Sequence, residues 1–275
     1  MEKLHHPLWI VHLVNALLGP IVAAALRPLG IVFEPGQEVI PDFIVMSLLI
    51  LVLVSVICLL IRSRLSVESP GKLQLLLEEA VTFLYGMVDE YIGPKGRRYL
   101  TLVGTMFIFI LFGNLMGLVP GLMAPTSNIN VTLGCALTVF VYYQYQGFKE
   151  QGVVGYVKHF MAPPGAPVWI APIYFPIEII SHLSRVLSLS VRLFGNIFGE
   201  ELVILILFSI VPFLVPLPMM FLGIITSSLQ AFIFAMLTTI YLAGAVVVDH
   251  GHEDHGHEEH AHAAEPHPAA EMGTV

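Results

Sequence analysis

Six ionisable residues interrupt one long apolar stretch: Glu178, His182, Arg185, Arg192, Glu200 and Glu201. Positions 178, 182, 185, 189, 192, 196 and 200 step by three or four, so in a helix they fall along one face. That face reads Glu178, His182, Arg185, Leu189, Arg192, Asn196, Glu200, with Ser181, Ser184 and Ser188 beside it. Carboxylates and an imidazole at one-turn intervals can take up and release protons. Arginine stays protonated and acts as a fixed cation. The combination points to a proton relay organised around a permanent positive charge. Structural roles stand beside this reading. Arg185 and Glu178 can snorkel to an interface, His182 can bond a neighbouring helix, and Glu200-Glu201 can cap at the membrane surface.

Arg192 carries the most weight. An arginine near the bilayer centre costs about 2.5–3.5 kcal/mol on insertion scales and more on an isolated helix. It therefore needs an anion or water. The nearest acids on the same stretch, Glu200 and Glu201, lie roughly 12 Å or more away along a helix axis. The other apolar stretches contain no Asp, Glu, Lys, Arg or His between their ends. The counter-ion of Arg192 is thus expected from another subunit, or Arg192 lines a wet cavity. The last apolar stretch offers a milder stripe of Ser227, Gln230, Thr238 and Tyr241, expected to meet the charged one.

The elements that must position these residues are membrane helices. Of 275 residues, 56% are hydrophobic and 12% charged, where a soluble domain carries roughly 25% charged residues. The composition excludes a soluble globular enzyme. Residues 249–275 hold seven acids and no Lys or Arg, so removing them takes the net charge from −8 to −1. The acidic balance therefore belongs to the tail and says nothing of a ligand. Cys58 and Cys135 lie inside apolar runs, which argues against a disulfide framework or a cysteine metal site.

Five spans are expected, over residues 43–61, 99–119, 131–147, 169–211 and 219–248. The fourth would reach about 65 Å as one helix, roughly twice the hydrocarbon thickness, so the last two are read as an obliquely lying hairpin. Residues 69–91 follow another pattern. Ser69 suits a cap, Pro70 a first position, and Leu73, Leu76, Leu77, Ala80, Leu84, Met87, Val88 and Tyr91 recur at helical spacing, with Glu78, Glu79, Asp89 and Glu90 on other faces. This reads as an amphipathic helix lying on the membrane. At the N-terminus, Lys3, the apolar run 13–25 and Ala23-Ala24-Ala25 imitate a signal peptide. Glu2, Asn15 and Pro20 oppose that, so residues 1–41 are read as an interfacial, extracytoplasmic segment.

Basic residues set the orientation. Segments 62–98 and 148–167 contain Arg62, Arg64, Lys72, Lys95, Arg97, Arg98, Lys149 and Lys158, whereas the loops at 120–130 and 212–218 contain none. The positive-inside rule places the N-terminus outside, the basic loops in the cytoplasm and the C-terminus inside. Tyr99, Tyr142, Tyr143, Tyr145, Trp169 and Tyr174 suit the interfaces.

The run Ser188-Leu189-Ser190-Val191-Arg192-Leu193-Phe194-Gly195-Asn196, with Glu201-Leu202 after it and Leu229-Gln230-Ala231-Phe232-Ile233-Phe234 in the last stretch, resembles subunit a of bacterial F-type ATP synthases. Gly113-Asn114-Leu115-Met116-Gly117-Leu118-Val119-Pro120 matches that family's second-span pattern, and the resemblance covers residues 42–248. It implies an all-α membrane domain that is a non-catalytic subunit of the complex. Two proton half-channels would lie beside a rotating c-ring of small hairpin subunits, with peripheral-stalk b subunits and, indirectly, a soluble ATPase head as further partners, in the bacterial cell (inner) membrane. Arg192 then aligns with the essential arginine facing the ring carboxylate. Glu201 aligns with the inlet-side acid, Glu178 with an acid on the cytoplasmic side, Asn196 and Gln230 with polar residues near the arginine, and Asn114 with an inlet-lining asparagine. One departure is Gly223, which stands where some relatives carry a histidine or glutamate paired with the inlet acid; Glu200 is a substitute to consider.

The residue order fits that mechanism independently. With the fourth stretch running outward, Glu178 lies nearer the cytoplasm, Glu201 nearer the outside, and Arg192 between. A fixed positive charge favours the ionised form of an approaching carboxylate and repels a hydrated proton. Protons would enter near Glu201 and leave past His182 and Glu178. Three other classes compete. A secondary transporter usually shows internal repeats and a midplane site, and none is visible. A metal transporter is suggested only by the tail. A membrane enzyme lacks a nucleophile–base pair or metal-ligand cluster in the spans. The 249–275 tail, with His250, His252, His255 and His257 able to bind zinc or nickel, is read as a disordered solvated segment. No cofactor and no nucleic-acid partner is expected.

Overall fold

A computed structural model describes residues 9–26, 39–62, 65–66, 70–119, 121–161, 171–211 and 214–246, and among them the secondary structure is entirely helical. The elements are α1 (Trp9–Leu26), α2 (Asp42–Arg62), α3 (Lys72–Ile92), a 3₁₀ turn (Pro94–Tyr99), α4 (Leu100–Met116), a second 3₁₀ turn (Pro125–Ser127), α5 (Ile129–Met161), α6 (Ala171–Ile210) and α7 (Pro216–Val246). The histidine-rich tail lies outside the described residues, as do Arg64, Ser69, Pro120, Trp169 and Pro212.

Helices α2, α6 and α7, and the segment Pro94–Met116, are long and apolar enough to cross a bilayer. Helix α5 is not in that set. Its apolar first half gives way to Tyr142, Tyr143, Gln144, Tyr145 and Gln146, and then to Lys149 and Glu150. The helix does not stop at residue 147, where a polar loop was expected. It continues past Lys149, and the break falls at Gly152 (φ 71°, ψ 159°), a backbone conformation essentially reserved for glycine. Beyond it the chain folds back, so that the Tyr156 ring lies against Gly147 and the Tyr156 hydroxyl donates to Gln144 Oε1.

One core joins α4, α5, α6 and α7 through Ile110, Val139, Tyr143, Leu189, Leu193, Phe234 and Leu242. The amphipathic helix α3 starts at Lys72, with Gly71 at the capping position and no side-chain cap bond. It ends at Gly93 (φ 83°), whose N–H donates to Asp89 O at 2.9 Å. Only its later part is packed: Leu84, Met87 and Val88 bury against Val103 and Ala235, while Leu73 and Leu76 stay exposed. An apolar face left open in this way suits contact with lipid. At the chain's start, α1 packs on α2 through Val11, Val45, Met46 and Ile50. Asn15 clamps the returning chain by accepting from Ile40 N at 2.9 Å and donating to Ile40 O at 3.0 Å. Asn15, which interrupts the apolar run in sequence, is thus a structural tie. Pro216 and Pro218 belong to the first turn of α7, where a missing N–H costs little, rather than to the connection before it.

Candidate functional site

Helix α6 carries the ionisable stripe along the edge of its buried face. His182, Val186, Leu189, Ser190, Leu193 and Ile197 are buried; Glu178, Arg185, Glu200 and Glu201 are half-buried; Ser188, Arg192 and Asn196 are exposed. The stripe therefore does not share one environment. Its ends turn toward α5 and α7, while its middle faces outward. Among the described residues no carboxylate lies within ion-pair distance of Arg192, and its guanidinium has no hydrogen-bond partner. The sequence expectation of a cation lacking an anion from its own helix extends to the whole described chain.

The C-terminal part of α6 meets the 121–128 connection. Glu201 Oε1 accepts a hydrogen bond from Ala124 N at 2.8 Å, across 77 positions of sequence. Gly117 makes this approach possible, since a Cβ there would stand 2.9 Å from the same oxygen and 2.8 Å from Ala124 Cβ. The connection is anchored in turn: Thr126 Oγ1 donates to Asn114 Oδ1 at 2.7 Å and Ser127 Oγ to Ala124 O at 2.7 Å. Nearby, Thr132 and Ser190 share a buried hydroxyl–hydroxyl bond of 3.2 Å. Glu200 takes a different direction, onto α7. Its carboxyl occupies the space a side chain at Gly223 would need, with Oε1 where the Cβ would stand. Both Glu200 carboxyl oxygens are buried without a hydrogen-bond partner among the described residues.

At the N-terminal part of α6, His182 Nε2 lies 3.3 Å from Glu178 Oε1 and His182 Nδ1 lies 2.8 Å from the Tyr143 hydroxyl. Arg185 sits over the Tyr241 ring at 5.4 Å, a cation–π contact with α7. This end is also the basic end of the molecule. Arg98 pairs with Glu150 at 2.8 Å, Arg97 lies near Asp89 at 3.6 Å, and Gln151 Nε2 donates to Ala245 O at 2.9 Å.

Between the two ends, Asn196 Nδ2 donates to Gln230 Oε1 at 2.9 Å, joining the polar stripes of α6 and α7 as expected. Gln230 Nε2, Ser227 Oγ and Asn114 Nδ2 are buried without partners among the described residues. Such orphan groups mark places where water or a passing ion can be stabilised. The predicted residues thus form two separate clusters, Glu178–His182 and Asn114–Glu200–Glu201, with Arg192, Ser188 and Asn196 on the surface between them. No group of three or more His, Cys, Asp or Glu able to hold a metal occurs among the described residues. Cys58 and Cys135 are both free, the first exposed and the second buried.

Sequence reasoning missed Tyr143 and the 124–127 connection. Tyr143 sits in the run Tyr142-Tyr143-Gln144-Tyr145, which reads as an interfacial aromatic belt. Its register relative to the apolar Ala136, Val139 and Phe140 of α5 was the available signal, since residues 136, 139, 140 and 143 share one helical face. The contact of Ala124 is made by backbone, which leaves no trace in residue type.

Residues 44–243 match the family described as ATP synthase A chain. The chain is 47% identical over 202 residues to ATP synthase subunit a 1 of Syntrophotalea carbinolica, covering 74% of this chain and 84% of that one. It is 44% identical over 227 residues to ATP synthase subunit a of Geotalea daltonii, covering 82% and 94%. It is 41% identical over 245 residues to ATP synthase subunit a 1 of Pelobacter propionicus, covering 89% and 99%.

Proposed function

The chain belongs to the ATP synthase A chain family, and from that membership we propose that it is the membrane-sector stator subunit that carries protons to and from a rotating ring of small hairpin subunits. The observation that carries this reading is Arg192, a permanent cation exposed on the surface of an apolar helix with no anion in reach among the described residues. Exposure to hydrocarbon would be costly for a guanidinium. A carboxylate delivered by a partner helix resolves that cost, and a carboxylate that comes and goes makes the surface a site of exchange.

The flanking clusters supply the two half-channels. Glu201, Glu200 and Asn114 lie beside the 121–128 connection, which has no basic residue, so the positive-inside rule makes theirs the extracytoplasmic side. Glu178 and His182 lie at the end that carries Arg97, Arg98 and Lys149, which makes theirs the cytoplasmic side. Protons enter along Glu201 and Glu200, protonate a ring carboxylate and, after rotation, leave past His182 and Glu178. Arg192 favours the ionised form of each arriving carboxylate and bars direct passage between the clusters. Asn196, fixed by Gln230, and the exposed Ser188 offer hydrogen bonds on either side of the guanidinium. Glu200 takes the place of the side chain missing at Gly223.

The membrane topology follows from lengths. Helix α6, with 40 residues, is about 60 Å long, roughly twice the hydrocarbon thickness of about 30 Å, so with α7 it lies as an oblique hairpin. The apolar half of α5 adds a fifth membrane-embedded helix. Residues 1–41 are extracytoplasmic and 249–275 form a cytoplasmic tail. The peripheral-stalk b subunits and the soluble ATPase head complete the complex in the bacterial inner membrane. In membrane vesicles carrying Arg192→Ala, proton-driven ATP synthesis is expected to fall to background while the complex remains assembled. Synthesis at the parental rate in that variant would overturn the proposal.

A further inference from the structure

The Tyr143–His182 contact is a buried polar interaction at the cytoplasmic end to which the proposed path gives no role. We infer that Tyr143 is a positioning residue for proton transfer: its hydroxyl holds the His182 imidazole in the single tautomer that presents Nε2–H to Glu178. The inference rests on the reading of Glu178 and His182 as the outlet.

An ionised carboxylate only accepts, so the 3.3 Å contact between Glu178 Oε1 and His182 Nε2 favours the proton on Nε2 without fixing it there alone. In a neutral imidazole Nδ1 is then the acceptor, and the partner 2.8 Å from it must donate. The Tyr143 hydroxyl does so. It is buried, and His182 is its only hydrogen-bond partner among the described residues. Were a proton to sit on Nδ1, the hydroxyl would have to accept instead and turn its own proton toward apolar surroundings. Those surroundings are rings. Phe140 meets Tyr143 edge-on at 5.4 Å, Tyr241 lies at 6.3 Å, and the imidazole itself is stacked at 5.8 Å. None offers an acceptor as good as the imidazole nitrogen, so the hydroxyl opposes protonation at Nδ1 and keeps the donor at Nε2. Among the groups around the imidazole are Glu178 and Arg185 on α6 and Tyr143 on α5, with Tyr241 on α7 held beside Arg185. Glu178 lies within reach of Nε2, and an Nε2–H held on its carboxylate favours the ionised form. The neutral imidazole keeps its own proton throughout, and the proton coming from the ring-facing interior is taken up and released by Glu178 itself.

Tyr143→Phe keeps the ring and its packing and removes only the hydroxyl, so the intact complex is expected to assemble. Two readouts separate positioning from mere support. The first is nitrogen-15 spectroscopy of histidine-labelled complex, with the His182 ring signals identified by their loss in His182→Gln. The parent should show a protonated Nε2 and a bare Nδ1, and Tyr143→Phe should show the two tautomers mixing. The second is passive proton conductance of vesicles stripped of the soluble head. It should fall about fivefold in Tyr143→Phe, the population ratio that one buried hydrogen bond sustains, and Tyr143→Phe should add nothing in a His182→Gln background. A parent proton on Nδ1, an unchanged tautomer in Tyr143→Phe, or an equal loss with and without His182 would each overturn the inference. Glu178→Gln run in parallel isolates the premise: unchanged conductance there sinks the outlet reading itself. A fall there with no change in Tyr143→Phe sinks only the role of Tyr143.

Discussion

Substituting Gly223 by alanine tests how tightly Glu200 is built into the inlet. The new Cβ would overlap Glu200 Oε1 and stand 3.1 Å from Glu200 Cδ and 2.7 Å from Leu118 Cδ2. Carbon and oxygen atoms cannot approach that closely, so something must move. The obstructing atoms are the far ends of two flexible side chains rather than backbone, which keeps the energetic cost near the low end of the 1–3 kcal/mol expected for overpacking, about 1 kcal/mol. The functional cost should be larger. Glu200 can yield only by swinging its carboxyl out of a pocket where both oxygens are now buried. Gly223→Ala is therefore expected to lower proton conductance in stripped vesicles well out of proportion to any drop in the thermal dissociation midpoint of the solubilised complex. Glu200→Ala removes the obstructing oxygen, so adding Gly223→Ala to it should cost little further in either assay. If Gly223→Ala were as damaging in the Glu200→Ala background as in the parent, within the roughly 0.3–0.5 kcal/mol scatter of independent sites, the two residues would not share the pocket and the reasoning would fail.

Two other perturbations follow from the same geometry. Glu201→Gln keeps an acceptor for Ala124 N but cannot exchange protons, so the complex should assemble normally while conductance falls about 10²-fold, the low end of what a positioned acid–base group contributes; conductance at the parental level would remove Glu201 from the path. Gly152→Ala forces a side chain into a backbone conformation costing of order 1–3 kcal/mol at φ 71°, which should loosen the fold-back that seats Tyr156 on Gly147 and speed tryptic cleavage at Lys149 and Lys158. Cleavage at the parental rate would show that the kink is not held by glycine.

The candidate site was legible in the sequence as far as its chemistry is written in residue type against an apolar background. Arg192, Glu178, His182 and the Glu200-Glu201 pair stand out since charge in such a stretch is expensive, and the meeting of Asn196 with Gln230 follows from two polar stripes that must face each other. Helix extents were legible wherever apolar runs end at charge, as at Arg62. They were not legible at α5, where Gly147 and Lys149 imitate a loop and the true break depends on the backbone angles of Gly152. The tie between Asn15 and Ile40 and the contact from Ala124 N to Glu201 were hidden for a related reason. Main-chain groups make them, and every residue carries those. Tyr143 was concealed by company, one tyrosine in a belt of three, with its partner 39 positions away.

The central claim concerns where one guanidinium finds its anion. The direct measurement is the distance from Arg192 to the nearest carboxylate in a structure of the assembled membrane sector with its ring in place. A ring carboxylate within about 4–6 Å, close enough to favour its ionised form, is the predicted result. Arg192 paired instead with Glu178, Glu200 or Glu201 of its own chain, or turned into lipid with the ring on another face, would contradict the account.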